Sequence, residues 1–152
     1  MQHSKKIKVI KDNLREHLNT INIVERSLVE KISKACESKL EALGVSSANI
    51  IHISVPGALE IPIALKKLAE GNEHFDVMVA IGLVIRGDTY HFEIVSDQSA
   101  AGIMRVQLDH SIPIMNAVLT TNSSKEALVR AVDKGREAAE GAIEMALKFD
   151  NE

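Results

Sequence analysis

The strongest constraint on the fold is an almost uninterrupted apolar run from Asp76 to Ile85. After the aspartate, the run reads Val77, Met78, Val79, Ala80, Ile81, Gly82, Leu83, Val84 and Ile85. A strand with apolar side chains on both faces must be covered on both faces, as in a parallel sheet flanked by helices. We therefore expect a central buried strand in an α/β protein.

The segments around this run alternate between strand-like and helix-like patterns. We expect strands over Leu18–Val24, Asn49–Val55 and Ile112–Leu119, and helices over Ser27–Leu43, Leu59–Ala69, Phe92–Leu108, from near Lys125, and over Arg136–Leu147. Apolar residues at helical spacing support the first helix, and Gly44 fits the position just after its end. Strands that alternate with helices predict a doubly wound parallel sheet with helices on both faces.

Length and composition narrow the class of protein. A chain of 152 residues has a one-domain length and can bury a full core. The lone Cys36 excludes an intrachain disulfide and is typical of a structural helix position. A net charge of -3 gives no reason to expect nucleic acid or an anionic membrane as partner. Without a signal-like or membrane-spanning apolar run, we expect a cytoplasmic protein.

Ligands of doubly wound sheets bind beyond the carboxyl ends of the strands, which selects three loops of this chain. The first is residues 56–60, where Gly57 and Ala58 would let the backbone approach a ligand closely. Glu60 follows in the first helical turn, where an acid suits the helix dipole. A plain Pro-Gly turn with Glu60 as a capping charge explains the same residues, so both interpretations stay open.

The second loop, residues 86–91, leaves the most buried strand and opens a helix. Free backbone N–H groups at a helix start favour an anion such as phosphate, and Thr89 adds a hydroxyl. His91 can move protons near neutral pH, although an ordinary histidine of a first helical turn would look the same. The charge of Asp88 opposes a phosphate unless only its N–H serves.

The third loop, residues 120–123, supplies cap residues before a helix that carries Arg130 and Lys134. Arginine suits bidentate phosphate contacts, although a surface arginine is the simpler interpretation of this position. The sequence holds no Gly-rich phosphate loop ending in Lys-Ser/Thr and no metal-ligand spacing. We therefore expect neither a nucleotide-type phosphate loop nor a metal site.

Together these loops resemble the lumazine synthase family of riboflavin biosynthesis. The matching stretches are Val-Pro-Gly-Ala-Leu-Glu-Ile-Pro at 55–62, Ala-Ile-Gly-Leu-Val-Ile-Arg-Gly-Asp-Thr-Tyr-His-Phe at 80–92, Val-Leu-Thr-Thr at 118–121, and the tail at 134–146. The resemblance implies a flavodoxin-like three-layer sandwich with a mainly parallel sheet. It also implies condensation of 5-amino-6-ribitylamino-uracil with 3,4-dihydroxy-2-butanone 4-phosphate, releasing phosphate and water without a cofactor.

The resemblance also implies roles for individual residues. His91 would transfer protons, and the backbone of Asp88 and Thr89, with Arg130, would hold the phosphate. It implies further substrate-binding residues as well. Gly57, Ala58 and Glu60 would bind the ribityl chain, with Leu59 beside them. Val84 and Ile85 would line the pyrimidine pocket, Lys134 would reach the pyrimidine substrate, and Asn116 would also bind substrate.

Three departures from the family pattern stand out. Aligned without gaps from Gly44 backward, Val24-Glu25 occupies the place of an aromatic-Asn pair that follows the first strand in the family. Asn116 stands where many members place a phenylalanine that serves a neighbouring subunit's site. The link between Arg130 and Lys134 is shorter than in many members.

The resemblance further implies a homo-oligomer built on pentamers, with riboflavin synthase as a candidate partner. In a single domain of residues 1–152, we expect residues 1–17 to be an N-terminal tail or edge strand. Ile7–Ile10 would then pair with the sheet of the adjacent subunit. Two alternatives stay open, namely a non-catalytic paralogue that binds flavin or lumazine or forms a shell, and an unrelated flavodoxin-like phosphate-binding domain.

Overall fold

The computed structural model describes residues 7–12 and 20–149. Its elements are β1 (Ile7–Asp12), α1 (Thr20–Ala42), β2 (Ile50–Val55), α2 (Ile61–Glu70), β3 (Val77–Ile85), α3 (His91–His110), β4 (Ile114–Thr121) and α4 (Ser124–Lys148), with single 3₁₀ turns at Ser47–Asn49 and Ala58–Glu60. The strands of the described residues form one sheet in the order β2-β1-β3-β4, and every pairing is parallel. The expected α/β class is confirmed.

The side chains of β3 alternate between two separate cores, as the pleat of a strand requires. Val77, Val79 and Ile81 pack in a core formed with α1 and α4. Met78, Ala80 and Val84 pack in the other core, with α2 and α3. Every β3 residue except Ile85 is buried. The prediction of a strand covered by helices on both faces is therefore confirmed, and the fold has three layers.

The strand predicted over Leu18–Val24 is wrong, because α1 begins at Thr20. The alternation of Ile21 and Ile23 is too short to separate a strand from a helix. We expected the N-terminal segment to be a tail or an edge strand. This is wrong for β1, which pairs with β2 on one side and with β3 on the other. Ile7–Ile10 therefore lie inside this chain's own sheet, while residues 1–6 and 13–17 lie outside the described residues.

The gap-free alignment around Val24-Glu25 fails for the same reason. Both residues belong to α1, whereas the first strand of the sheet ends at Asp12. The segment that directly follows β1 falls outside the described residues. Val24-Glu25 is therefore not the counterpart of the family's aromatic-Asn pair.

The two helices predicted near the carboxyl end are one continuous helix, α4. The short link from Arg130 to Lys134 lies inside this helix. Gly135, which resembles a helix boundary in the sequence, is buried where α4 crosses α1. A Cβ atom there would overlap the backbone oxygen of Ile32 and lie 2.9 Å from the Cβ of Ala35. The glycine therefore permits a close helix crossing rather than ending a helix.

Cys36 lies on the buried side of α1, as expected of a structural cysteine. Burial raises the pKa of its thiol to about 12, with a smaller contribution from the negative charge of Glu37. The thiol is therefore neutral and packs as an apolar side chain.

We predict that Gly135→Ala destabilises the protein by about 2 kcal/mol, because the added methyl group must push α4 away from α1. Gly71→Ala is the matched control, since a Cβ at Gly71 meets its nearest neighbour at 3.4 Å and φ is -76°. Urea unfolding of both variants checks the prediction. Equal midpoints for the two variants would mean that the helix crossing tolerates a methyl group at Gly135.

Candidate active site

The carboxyl ends of the strands form a step at one edge of the sheet. Asp12 pairs with Val55, and Lys11 pairs with Ile81, so the end of β2 is level with Gly82. Ile85 lies three residues further, which is about 10 Å of extended chain. Among the described residues, β3 and β4 thus project beyond β1 and β2. We call the place above the ends of the two shorter strands the recess; residues 13–19, which follow β1, lie outside the described residues. Ligands of parallel α/β sheets bind at this edge.

The loop after β2 forms one side of this recess. Gly57 has extended backbone, and a Cβ built on it would lie 3.3 Å from Oε1 of Glu60. The carboxylate of Glu60 therefore folds back over Gly57. Ala58 is buried and Leu59 is exposed. Among the described residues, no backbone N–H of α2 donates to the Glu60 side chain, although Glu60 occupies the N-cap position. The capping interpretation of Glu60 is not supported.

The loop after β3 forms the opposite side. Residues 87–90 are exposed, and His91 is the first residue of α3. The backbone N–H of His91 donates to Oγ1 of Thr89 over 3.3 Å, so this hydroxyl satisfies one N–H at the start of α3. A Cβ at Gly87 would meet no described atom within 4 Å, which leaves open space beside the loop. The exposed helix start, with Asp88 and Thr89 before it, can accommodate an anion.

The last two residues of β3 lie on different faces of the sheet. Val84 is buried in the core with α2 and α3, whereas the half-buried Ile85 packs against the core with α1 and α4. Their side chains therefore point to opposite faces of the sheet at the end of β3.

The loop after β4 is fixed by a network of short-range hydrogen bonds. Ser123 caps α4, with its Oγ accepting the N–H of Glu126 over 3.1 Å. Glu126 in return accepts the N–H of Asn122 over 3.3 Å, as in a capping box. The buried hydroxyl of Thr121 donates to the backbone oxygen of Ser123 over 2.9 Å. The start of α4 is therefore rigidly joined to the end of β4.

Arg130 and Lys134 lie on α4, which runs away from the carboxyl edge. Arg130 is exposed and stands about 9 Å along the helix from its first residue, whereas the half-buried Lys134 stands about 15 Å along. A spacing of four residues places both on the same side of the helix. Arg130 is thus nearer to the carboxyl edge than Lys134 is.

Asn116 is not at the carboxyl edge. It pairs with Ala80 in the middle of β4, and its exposed side chain accepts the N–H of Val118 over 2.9 Å. Because β4 is an outer strand of the described sheet, this contact satisfies a backbone group that would otherwise face outward. Asn116 therefore lies away from this chain's own loops at the carboxyl edge.

Arg86, directly after β3, is a residue that the sequence analysis did not single out. Its Nε donates to Oδ1 of Asn122 over 2.9 Å, and its Nη1 bonds Oε1 of Glu93. Its guanidinium carbon lies 4.4 Å from the centre of the Phe92 ring. The hydrogen bond from Arg86 is the main cause that lowers the pKa of Glu93. The sequence signal that could have indicated this role is an arginine at the end of a strand followed by a glutamate in the first turn of the next helix.

The described part of the chain holds no cluster of three or more His, Cys, Asp or Glu side chains that could bind a metal ion. Within the same residues, no helix has both the length and the apolar character that a bilayer crossing requires.

Comparison with known proteins identifies the family. Residues 22–150 match the sequence profile described as 6,7-dimethyl-8-ribityllumazine synthase. Proteins of that name from Burkholderia ambifaria (strain MC40-6) and Burkholderia mallei (strain SAVP1) are each 56% identical over 115 residues, which is 76% of this chain. The aligned region covers 67% and 66% of those relatives, so the chain spans about two thirds of their length.

A third relative of the same name, from Burkholderia pseudomallei (strain K96243), is also 56% identical over 115 residues, covering 76% of this chain and 66% of the relative. An unrelated flavodoxin-like domain is thereby excluded. By the profile match over most of its length and by its identity to these relatives, the chain belongs to the 6,7-dimethyl-8-ribityllumazine synthase family.

Proposed function

We propose that this chain condenses 5-amino-6-ribitylamino-uracil with 3,4-dihydroxy-2-butanone 4-phosphate to form 6,7-dimethyl-8-ribityllumazine, with release of phosphate and water. The observation that carries the proposal is the recess at the carboxyl edge, with His91 on one side and Glu60 on the other. The printed name of the relatives supports the same product. The reaction needs two polar substrates held together, and a recess between two loops suits that task.

The phosphate would bind at the start of α3. The N–H groups of Asp88 and Thr89 lead into this helix start, and the helix dipole favours a negative charge there. Arg130 would add a positive charge from α4. A phosphate held in this way is a good leaving group, because its negative charge is neutralised before the bond to carbon breaks.

His91 would move the protons. It follows the phosphate loop directly and is exposed at the start of α3. The condensation removes protons from the amine of the pyrimidine substrate. It also delivers a proton to the hydroxyl group that leaves as water. An imidazole can perform both steps near neutral pH, provided that it stands within hydrogen-bonding distance of the reacting atoms.

The pyrimidine substrate would lie over the shorter strands. The backbone at Gly57 and Ala58 and the carboxylate of Glu60 would bind the hydroxyl groups of the ribityl chain, with Leu59 beside them. Glu60 makes no capping bond to α2, so its carboxylate is not committed to the helix start. Val84 and Ile85, at the end of β3, would line the pocket of the pyrimidine ring.

A non-catalytic paralogue that binds flavin or forms a shell is the alternative of a different class. The family membership and the names of the relatives do not favour it. Such a protein has no need of a histidine at the phosphate loop together with Glu60 and Arg130, and this chain has all three.

We further propose that residues 1–152 form one domain that assembles into homopentamers, with sites shared between neighbouring chains. Several large apolar side chains are exposed in the single chain, including Tyr90 (70%), Leu108 (70%) and Val129 (73%). Exposed apolar area of this kind is typical of subunit contacts. Sharing would also bring Asn116 and Lys134 to a recess.

The lone cysteine suits the reducing cytoplasm, where riboflavin synthase would use the product.

We predict that His91→Ala lowers kcat by about a hundredfold, the usual contribution of a general acid or base. Purified enzyme is mixed with both substrates and the fluorescence of the lumazine product is followed. His74→Ala, which removes an exposed histidine in the loop before β3, is the control and should leave kcat unchanged. An unmodified chain no faster than the uncatalysed condensation would disprove the proposed function.

Arg130→Ala should raise the KM for the butanone phosphate by about tenfold, as expected when a charged phosphate contact is lost. The KM for the pyrimidine should stay unchanged. Arg136→Ala, which removes another exposed arginine of α4, is the control. If the KM for the phosphate substrate does not change, the phosphate is held by other residues.

The assembly is tested by native mass spectrometry of the unmodified chain. We expect a pentamer or a multiple of it, because the exposed apolar side chains require cover. A monomer at micromolar concentration would contradict the shared-site proposal.

A further inference from the structure

We propose that Arg86 is a positioning residue, which holds the loop of residues 87–90 and His91 in the geometry that the reaction requires. The inference deepens the proposed function and rests on it. Arg86 directly follows β3, and its side chain bonds both the first turn of α3 and the loop after β4.

The side chain of Arg86 makes three different contacts. The hydrogen bond to Asn122 reaches the loop after β4, and the ion pair with Glu93 reaches the first turn of α3. The third contact is the stacking of the guanidinium over the ring of Phe92. An arginine can make all three at once because its planar group has donors along its edge and a face that stacks on aromatic rings.

The backbone of Arg86 is fixed as well. Its N–H donates to the backbone oxygen of Thr121 over 2.9 Å, which continues the pairing of β3 with β4 beyond Ile85. One end of the loop at residues 87–90 is therefore anchored to the sheet. The other end is anchored through Phe92 and Glu93, by the side chain of the same residue. The loop is a short arch whose two ends are clamped by Arg86.

His91 lies inside this clamp. It is preceded by the arch and followed at once by Phe92 and Glu93, the two residues that Arg86 holds. A change in the Arg86–Glu93 pair rotates or loosens the first turn of α3 and moves the imidazole and the phosphate-binding N–H groups together. A displacement of this kind costs rate although no contact with substrate is lost.

The clamp extends to the helix that carries Arg130. Asn122 accepts from Arg86 with its side chain and donates from its backbone to Glu126 in the first turn of α4. Arg86 thus fixes the start of α4 relative to the start of α3. The two parts of the proposed phosphate site are the N–H groups at the start of α3 and Arg130 on α4. Arg86 would hold them in a fixed position relative to each other.

Charge explains why Arg86 would position the site instead of binding the phosphate itself. Glu93 neutralises the guanidinium and occupies one of its donors, while Asn122 occupies another. An anion in the recess would have to compete with the carboxylate of Glu93 for the same group. The backbone N–H groups and Arg130 face no such competitor among their described contacts.

The test uses Arg86→Lys and Glu93→Gln, which keep the size of the side chains, and the double variant. We expect each single variant to lower kcat and to raise the KM for the butanone phosphate, with kcat/KM reduced about tenfold. The KM for the pyrimidine should stay within about twofold, because its loop is on the other side of the recess. The double variant should be no worse than the poorer single variant, since both act through one contact.

The control is the exposed ion pair between Arg105 and Asp109, also on α3 but at its far end. Arg105→Lys and Asp109→Asn should leave both KM values and kcat unchanged. If Glu93→Gln leaves the KM for the phosphate substrate unchanged while Arg86→Lys raises it, Arg86 binds phosphate directly and the inference is wrong. Equal activity per folded molecule in all variants, with only lower melting temperatures, would also overturn it.

A second measurement does not depend on activity. The N–H groups of Glu93 and Ile94 both donate to the backbone oxygen of Tyr90, and their hydrogen exchange reports the first turn of α3. We expect this exchange to be at least about fivefold faster in Glu93→Gln than in Asp109→Asn. Unchanged exchange would overturn the clamp. A different outcome is that the unmodified chain is inactive while hydrogen exchange is faster in Glu93→Gln. That outcome would disprove the proposed function and, with it, the catalytic role of the clamp.

Discussion

The burial of β3 on both faces is the constraint on which the rest of the structure depends. Its side chains alternate between a core with α1 and α4 and a core with α2 and α3. A strand buried in this way needs helices on both sides, and parallel neighbours connected by those helices satisfy its backbone groups. Because parallel strands end at the same edge, the loops that carry Glu60, His91 and the cap of α4 are brought together.

The recess arises from a difference in strand ends. β3 and β4 continue about 10 Å past the end of β2, and the backbone N–H of Arg86 prolongs the pairing by one more bond. The loop after β3 is therefore carried above the loop after β2. The different heights of these loops are thus a consequence of strand register.

Rigidity at this edge comes from polar contacts between loops, since the apolar cores end below it. Ser123 and Glu126 fix the start of α4, and Thr89 accepts the first N–H of α3. Arg86 joins the two helix starts through Asn122 and Glu93. Each of these bonds is partly exposed and individually weak, but together they define one arrangement of the edge.

The sequence by itself determined the class of fold, the buried strand and the three loops at the carboxyl edge of the sheet, because apolar periodicity and turn residues are local signals. It failed over Leu18–Val24, where a short alternation had two local interpretations and the structure has a helix from Thr20. It also failed at Gly135, where a glycine had two local interpretations and packing against α1 decided between them. It could not find the contacts that Arg86 makes with Asn122 and Glu93. Those features depend on distances between residues far apart in the chain, and only the tertiary structure sets such distances.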